Sequence, residues 1–281
     1  MTSHHFSIEF FPPKSFEASE RLRDVRQRLG SLSPEYFSVT QGAGGSERTG
    51  HHDLAVEIHQ DGLSVAPHVT CIGTSRSMIR EQIMEYRALG IRHLVALRGD
   101  LPKQAITPGD FSYANELVEF VRSETGDWFH IIVAAYPETH PQAKSPQDDL
   151  DNFVRKVHAG SDAAITQYFY NPDAYFHFAD NVQRAGVDVP VIAGIMPVTN
   201  YASLARFSDA CGAEIPRWIR LKLESYGDDL DSIRKFGLDV VTQQCERLLD
   251  GGAPGFHFYS LNQAAPVEAL LERLQASGYR A

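Results

Sequence analysis

Eight apolar runs of strand length, each parted from the next by a segment of helical periodicity, constrain this chain more than any other feature. The runs are Ser7 to Phe11, Tyr36 to Thr40, Ser64 to Cys71, Arg92 to Leu97, Trp128 to Ala135, Ala163 to Tyr170, Val189 to Met196 and Gly255 to Leu261. Near-continuous apolar strands are the signature of a parallel sheet buried on both faces. The intervening segments predict helices over Phe16 to Leu29, Ser77 to Leu89, Pro146 to Ala159 and Ser232 to Leu249, with room for an extra helix around Pro216 to Ser225 before the last run. Eight strands joined by helical crossovers point to an α/β fold of the (β/α)8 TIM barrel type rather than an open doubly wound sheet. A dinucleotide-binding open sheet would carry G-x-G-x-x-G after its first strand, and Pro12-Pro13 stands there instead. The length of 281 suits one barrel of roughly 250 residues, and no linker or charge block divides it, so residues 1–281 read as a single domain.

The formal net charge of -10 argues against a nucleic-acid surface, which needs clustered basic groups, but leaves room for an anionic small ligand held by a few cations in a cleft. Cys71, Cys211 and Cys245 lack paired metal-ligand spacing and are too few for a disulfide framework. The N-terminus carries no basic-then-apolar leader, and no apolar stretch is long enough to span a bilayer. The expectation is a reduced, soluble, cytoplasmic protein without membrane or nucleic-acid partners; a homo-oligomer is compatible with the sequence.

Barrel enzymes place their chemistry at the carboxyl ends of the strands. Here those ends are polar: Glu9, Thr40, His68, Tyr136 and Gln167. The fourth run closes on Leu97-Arg98-Gly99-Asp100, which offers a cation, a glycine that permits close approach, and a carboxylate. Glu9 lies within Ile8-Glu9-Phe10-Phe11, and apolar surroundings favour the neutral form of a carboxyl, as a general acid requires. Period-2 alternation alone does not say whether Glu9 faces the barrel interior or a helix. Gly42 to Gly45 could cradle a phosphate or simply turn the chain, and without Gly-Lys-Ser/Thr it is no Walker loop. His68, His140 and His158 have no metal-ligand spacing, so hydrogen-bonding roles are favoured over a metal, and His51-His52 reads as a solvated turn. Asp149, Asn152 and Lys156 share one helical face with Arg155 alongside, a pattern that an ordinary solvated helix also shows. Gln167 is an amide in an aromatic strand and needs partners if buried.

Taken together, several of these segments resemble one family. They are Phe10-Phe11-Pro12-Pro13 after Glu9, Ser38-Val39-Thr40 with Gly42-Ala43-Gly44-Gly45, Ala66-Pro67-His68, Ala96-Leu97-Arg98-Gly99-Asp100, Ala134-Ala135-Tyr136-Pro137-Glu138, Ile165-Thr166-Gln167, Gly194-Ile195-Met196-Pro197 and Phe256-His257-Phe258-Tyr259. In this order, over nearly the whole chain, they resemble methylenetetrahydrofolate reductase in its short bacterial form.

The resemblance implies an FAD-containing barrel that reduces 5,10-methylenetetrahydrofolate to 5-methyltetrahydrofolate. Hydride passes from a nicotinamide nucleotide, NADH more often than NADPH, through the flavin in a ping-pong sequence. Glu9 would be the acid that opens the imidazolidine ring, and Asp100 would tune the flavin and favour a cationic iminium. Gln167 would bond the pterin, Phe207 would give an aromatic surface, and Gln263 would lie toward the folate tail. The FAD set implied is Thr40, Gln41, Ala43, His68, Arg98, Gly99, Asp100, Tyr136, His140, Asp149, Asn152, Arg155 and Lys156, with Arg98 and Lys156 on phosphates and Asp149 on a sugar hydroxyl. The chain departs from the family pattern at Gln41, often tyrosine, at Gln263, often arginine, and at Ser203, glutamine in some members. Two other functions compete: a flavin barrel of proline dehydrogenase type, and a catalytically silent relative that binds folate or flavin.

Overall fold

The computed structural model describes residues 5–41, 48–99 and 109–279. In chain order its elements are β1 (His5–Phe10), α1 (Phe16–Gly30), β2 (Phe37–Val39), α2 (Arg48–Gln60), β3 (Val65–Thr70), α3 (Arg76–Leu89), β4 (His93–Leu97), α4 (Ala114–Thr125) and β5 (His130–Ala135). They continue with α5 (Pro146–His158), β6 (Ala163–Thr166), α6 (Pro172–Arg184), β7 (Val191–Ile195), α7 (Tyr201–Cys211), α8 (Arg217–Ser225), α9 (Leu230–Asp250), β8 (Gly255–Tyr259) and α10 (Ala265–Ala276). The strands pair in parallel in sequence order, and β8 returns to β1, so the sheet closes into the expected (β/α)8 barrel. Helix α8 is the extra helix before the last strand.

The pleat sorts the strand residues into two cores. Ile8, Phe10, Val39, Val69, Val133, Ile195 and Phe258 belong to the large outer core, where the barrel packs against its helices. Tyr36, Ala66, Val95, Ile132, Ala163 and Ile165 form a smaller inner core that plugs the barrel. Above the plug the interior turns polar. Gly194 is required at this level, because a Cβ there would lie 2.1 Å from Thr166 O and 2.8 Å from Tyr259 Cε2. Its absence lets the Tyr259 hydroxyl cross to donate to Thr166 O at 2.8 Å.

Two expectations need correction. The sixth strand ends at Thr166 and not at Tyr170; Tyr168-Phe169-Tyr170 is a buried loop. Its backbone is satisfied from elsewhere, with Gln244 Nε2 donating to Phe169 O at 2.6 Å. His51 lies in α2 and not in a solvated turn; it is 1% exposed, with Nε2 3.1 Å from Val39 O. Burial, with His68 nearby, pushes its pKa down to about 3, so it is neutral at ordinary pH.

Candidate active site

A cavity of about 1470 Å³ opens at the carboxyl ends of the strands. Pockets for one small ligand usually measure roughly 300–1,000 Å³, so this one has room for a large cofactor and a second molecule. Its walls carry Glu9, Thr40, Gln41, His68, Arg98, Gly99, Tyr136, His140, Asp149, Asn152, Arg155, Lys156, Gln167 and Phe207. Fourteen of the residues singled out in the sequence therefore meet in one place. Gln263 does not: it is exposed and outside the cavity wall. Ala43 and Asp100 lie outside the described residues.

Glu9 sits on the interior face of β1, which settles the ambiguity of its alternation. The apolar neighbours expected around it, Ile8 and Phe10, are in the outer core. The polar groups facing its carboxylate are imidazoles, His68 Nε2 at 3.5 Å and His257 Nε2 at 3.8 Å from Oε2. Burial holds His68 down to about 4, with His257 acting the same way and Glu9 opposing both. At neutral pH His68 is therefore uncharged, and its contact with Glu9 is a dipolar one rather than an ion pair. His257 is fixed in turn by Ser7 Oγ, 2.7 Å from Nδ1, and lies 3.4 Å from Ser38 Oγ through Nε2. Sequence reasoning gave His257 no role of its own. Its two-residue spacing from Tyr259 on the last strand was the available signal, since both positions face inward.

Strands β4 and β5 stand across an eight-stranded barrel from β8 and β1, and this far side is basic. Arg98, at the end of β4, donates to Gln142 Oε1 at 2.6 Å. Gly99 follows in the left-handed region (φ +85), where a Cβ would crowd Ile72 and Thr70 at 3.1 Å. Helix α5 begins cleanly: Ser145 caps it by accepting from Asp148 N, and Pro146 occupies the first turn. Phe153 packs inward, which turns Asp149, Asn152, Arg155 and Lys156 toward the cavity. The helical face that could have been mere solvated surface is cavity wall. Asp149 Oδ2 already accepts from His140 N at 2.7 Å, so this carboxylate holds the loop after β5 as well as facing the cavity.

Lys156 is the most telling of these groups. Its side chain is half-buried, and its ammonium donates to Ala134 O at 2.5 Å. Enclosure outweighs the opposing influence of Asp149 and lowers its pKa to about 8. A cation held at that cost beside a large cavity suits an anionic ligand. Gln167 Oε1 accepts Tyr168 N at 3.0 Å, leaving its Nε2 for an acceptor in the cavity, and Gln41 Oε1 likewise accepts Thr70 N at 3.1 Å. Among the described residues no group of three or more His, Cys, Asp or Glu side chains is placed to hold a metal ion. No described helix is long and apolar enough to cross a membrane.

Comparison with known proteins identifies a family. The family model described as Methylenetetrahydrofolate reductase matches residues 1–275. A 5,10-methylenetetrahydrofolate reductase of Salmonella typhimurium is 42% identical over 269 residues, covering 95% of this chain and 90% of the relative. That of Escherichia coli is 41% identical with the same coverage. Among solved structures, an uncharacterized Clostridium thermocellum protein that binds two copies of 5-methyl-5,6,7,8-tetrahydrofolic acid superimposes with a TM-score of 0.65 at 17% identity, covering 95% of this chain and 92% of its own. At that identity the likeness concerns the fold alone.

Proposed function

Given that the chain belongs to the methylenetetrahydrofolate reductase family, an oxidoreductase family acting on folate, we propose that it works with FAD, favours NADH as the reductant, and uses Glu9 as general acid. Bound flavin would supply the hydride relay between nicotinamide and the methylene carbon of the folate. The residues present fit such a group. The cavity exceeds what one small ligand needs, and Arg98, Arg155 and Lys156 offer cations to a diphosphate on the side remote from Glu9. Lys156 supports this fit most strongly, because an anion would relieve the cost of its enclosure.

On the opposite wall, Glu9 would give its proton to the ring nitrogen of methylenetetrahydrofolate that must leave as the imidazolidine opens. The neutral His68 beside it, 3.5 Å from Oε2, puts no fixed positive charge against the carboxyl. The donor Nε2 of Gln167 would meet an acceptor on the pterin edge, and Phe207, 39% exposed on α7, would lie against an aromatic ring. Asp100 keeps the flavin-tuning role that the resemblance gives it.

The observation that carries this reading is the placement of the Glu9 carboxylate on the cavity wall between two imidazoles, across the barrel from the basic groups. The substitution Glu9→Gln tests it. Flavin reduction by NADH should stay near the native rate while reoxidation by methylenetetrahydrofolate falls by at least a hundredfold. Native folate turnover in that variant would remove Glu9 from the chemistry.

A further inference from the structure

The chain's last loop grips its first strand immediately beside Glu9. On the β8 side the ladder of β1 ends with the pair Glu9 and Tyr259. Beyond that pair the chain turns through Leu261 and Asn262, both in the left-handed region, at φ 51 and 56. Such a conformation is uncommon for residues other than glycine, and for a branched residue such as leucine it is disfavoured. The turn brings two side chains onto β1. Ser260 Oγ donates to Glu9 O at 2.6 Å and accepts from Asn262 N at 3.2 Å. The Asn262 carboxamide spans Phe11, accepting its N–H at 3.1 Å and donating to its carbonyl at 2.9 Å. Three bonds thus replace the ladder where it stops, at the residue bearing the proposed acid and two residues on.

We propose that Asn262, with Ser260, is a positioning residue for Glu9, a role that rests on Glu9 being the acid. The clasp holds the backbone of Glu9 and Phe11 against the last loop and so fixes the carboxyl relative to the cavity. It also fixes the spacing of that carboxyl from the titratable groups that face it: His68 from β3, and His257 and Tyr259 from β8. The bonds of Asn262 lie near the surface. Their loss should therefore disturb geometry more than global stability, since a net hydrogen bond of this kind contributes only ~1 kcal/mol.

The variant Asn262→Gly separates positioning from turn formation, because glycine adopts the left-handed backbone more easily than asparagine but has no clasp. In FAD-loaded protein we expect flavin reduction by NADH within twofold of native, and reoxidation by methylenetetrahydrofolate at least tenfold slower with a displaced pH profile. In flavin-free protein, amide exchange at Phe11 should quicken at least tenfold. Asn262→Asp, which keeps the acceptor but loses the donor, should fall between. Ser260→Ala removes the hold on Glu9 O and should act in the same direction if Asn262→Gly proves insoluble. Native folate reoxidation with a native pH profile in both Asn262→Gly and Ser260→Ala would overturn the inference while leaving Glu9 as the acid. A native protein unable to pass electrons to methylenetetrahydrofolate would instead strike at the function itself.

Discussion

Replacing Lys156 by methionine should change how the stability of the flavin-free protein depends on pH, and the size of the change follows from the structure. Enclosure lowers the ammonium from its ordinary 10.5 to about 8. Between those values the unfolded chain holds a proton that the folded chain has released, so native stability rises with pH through this window. The difference of about 2.5 pH units corresponds to roughly 3 kcal/mol at ~1.36 kcal/mol per unit. Partial exposure of the side chain reduces this to on the order of 2 kcal/mol. Urea unfolding of the native protein and Lys156→Met, at intervals from pH 7 to 11, reads it directly. Because both proteins share all other titrating groups, subtracting one curve from the other isolates the lysine. The stability of the native protein relative to the variant should climb by about 2 kcal/mol from pH 8 to 10.5 and be flat below. A difference that stays constant across the range would refute the claim that the ammonium is held against its solvation. In the presence of FAD the climb should shrink, since a phosphate beside Lys156 favours the charged form.

Other substitutions probe the opposite wall and the barrel itself. His68 is neutral when folded down to about pH 4 but takes a proton at its ordinary 6.5 when unfolded, so stability present above pH 6.5 is lost as pH falls toward 4. Relative to His68→Gln, the native protein should lose on the order of 3 kcal/mol across that window in acid titrations of urea unfolding, and equal losses in both proteins would contradict the assignment. Gly194→Ala would force a methyl to within 2.1 Å of a backbone oxygen, and a destabilisation of about 2–4 kcal/mol is expected from urea midpoints. A cost under about 1 kcal/mol would mean that β7 yields more readily than a closed barrel should.

Much of the barrel was legible because parallel strands are buried on both faces and so appear as apolar runs in any sequence. The exact ends were less so. Tyr168-Phe169-Tyr170 is as apolar as a strand, yet it lies outside the sheet, with Gln244 Nε2 on Phe169 O and Gln167 Oε1 on Tyr168 N in place of ladder bonds. His51 escaped notice because a polar pair near glycines reads as solvent-facing, whereas inside the fold its ring is held by Val39 O at Nε2 and by the Tyr86 hydroxyl at Nδ1. At the site, the cavity-facing row of α5 follows from helical spacing, but nothing in that spacing distinguishes cavity from water. Gln263 was drawn toward the folate by its place in the motif. In the structure it lies exposed and outside the cavity wall, just after Leu261 and Asn262 in the left-handed region.

An anaerobic visible spectrum of the FAD-loaded protein, recorded before and after NADH and again after methylenetetrahydrofolate, tests the central claim in one cuvette. The oxidised flavin bands should bleach with NADH and return with the folate, with 5-methyltetrahydrofolate formed in step. Bleaching without recovery, or recovery without that product, would contradict a reductase that passes hydride from nicotinamide to folate through this cavity.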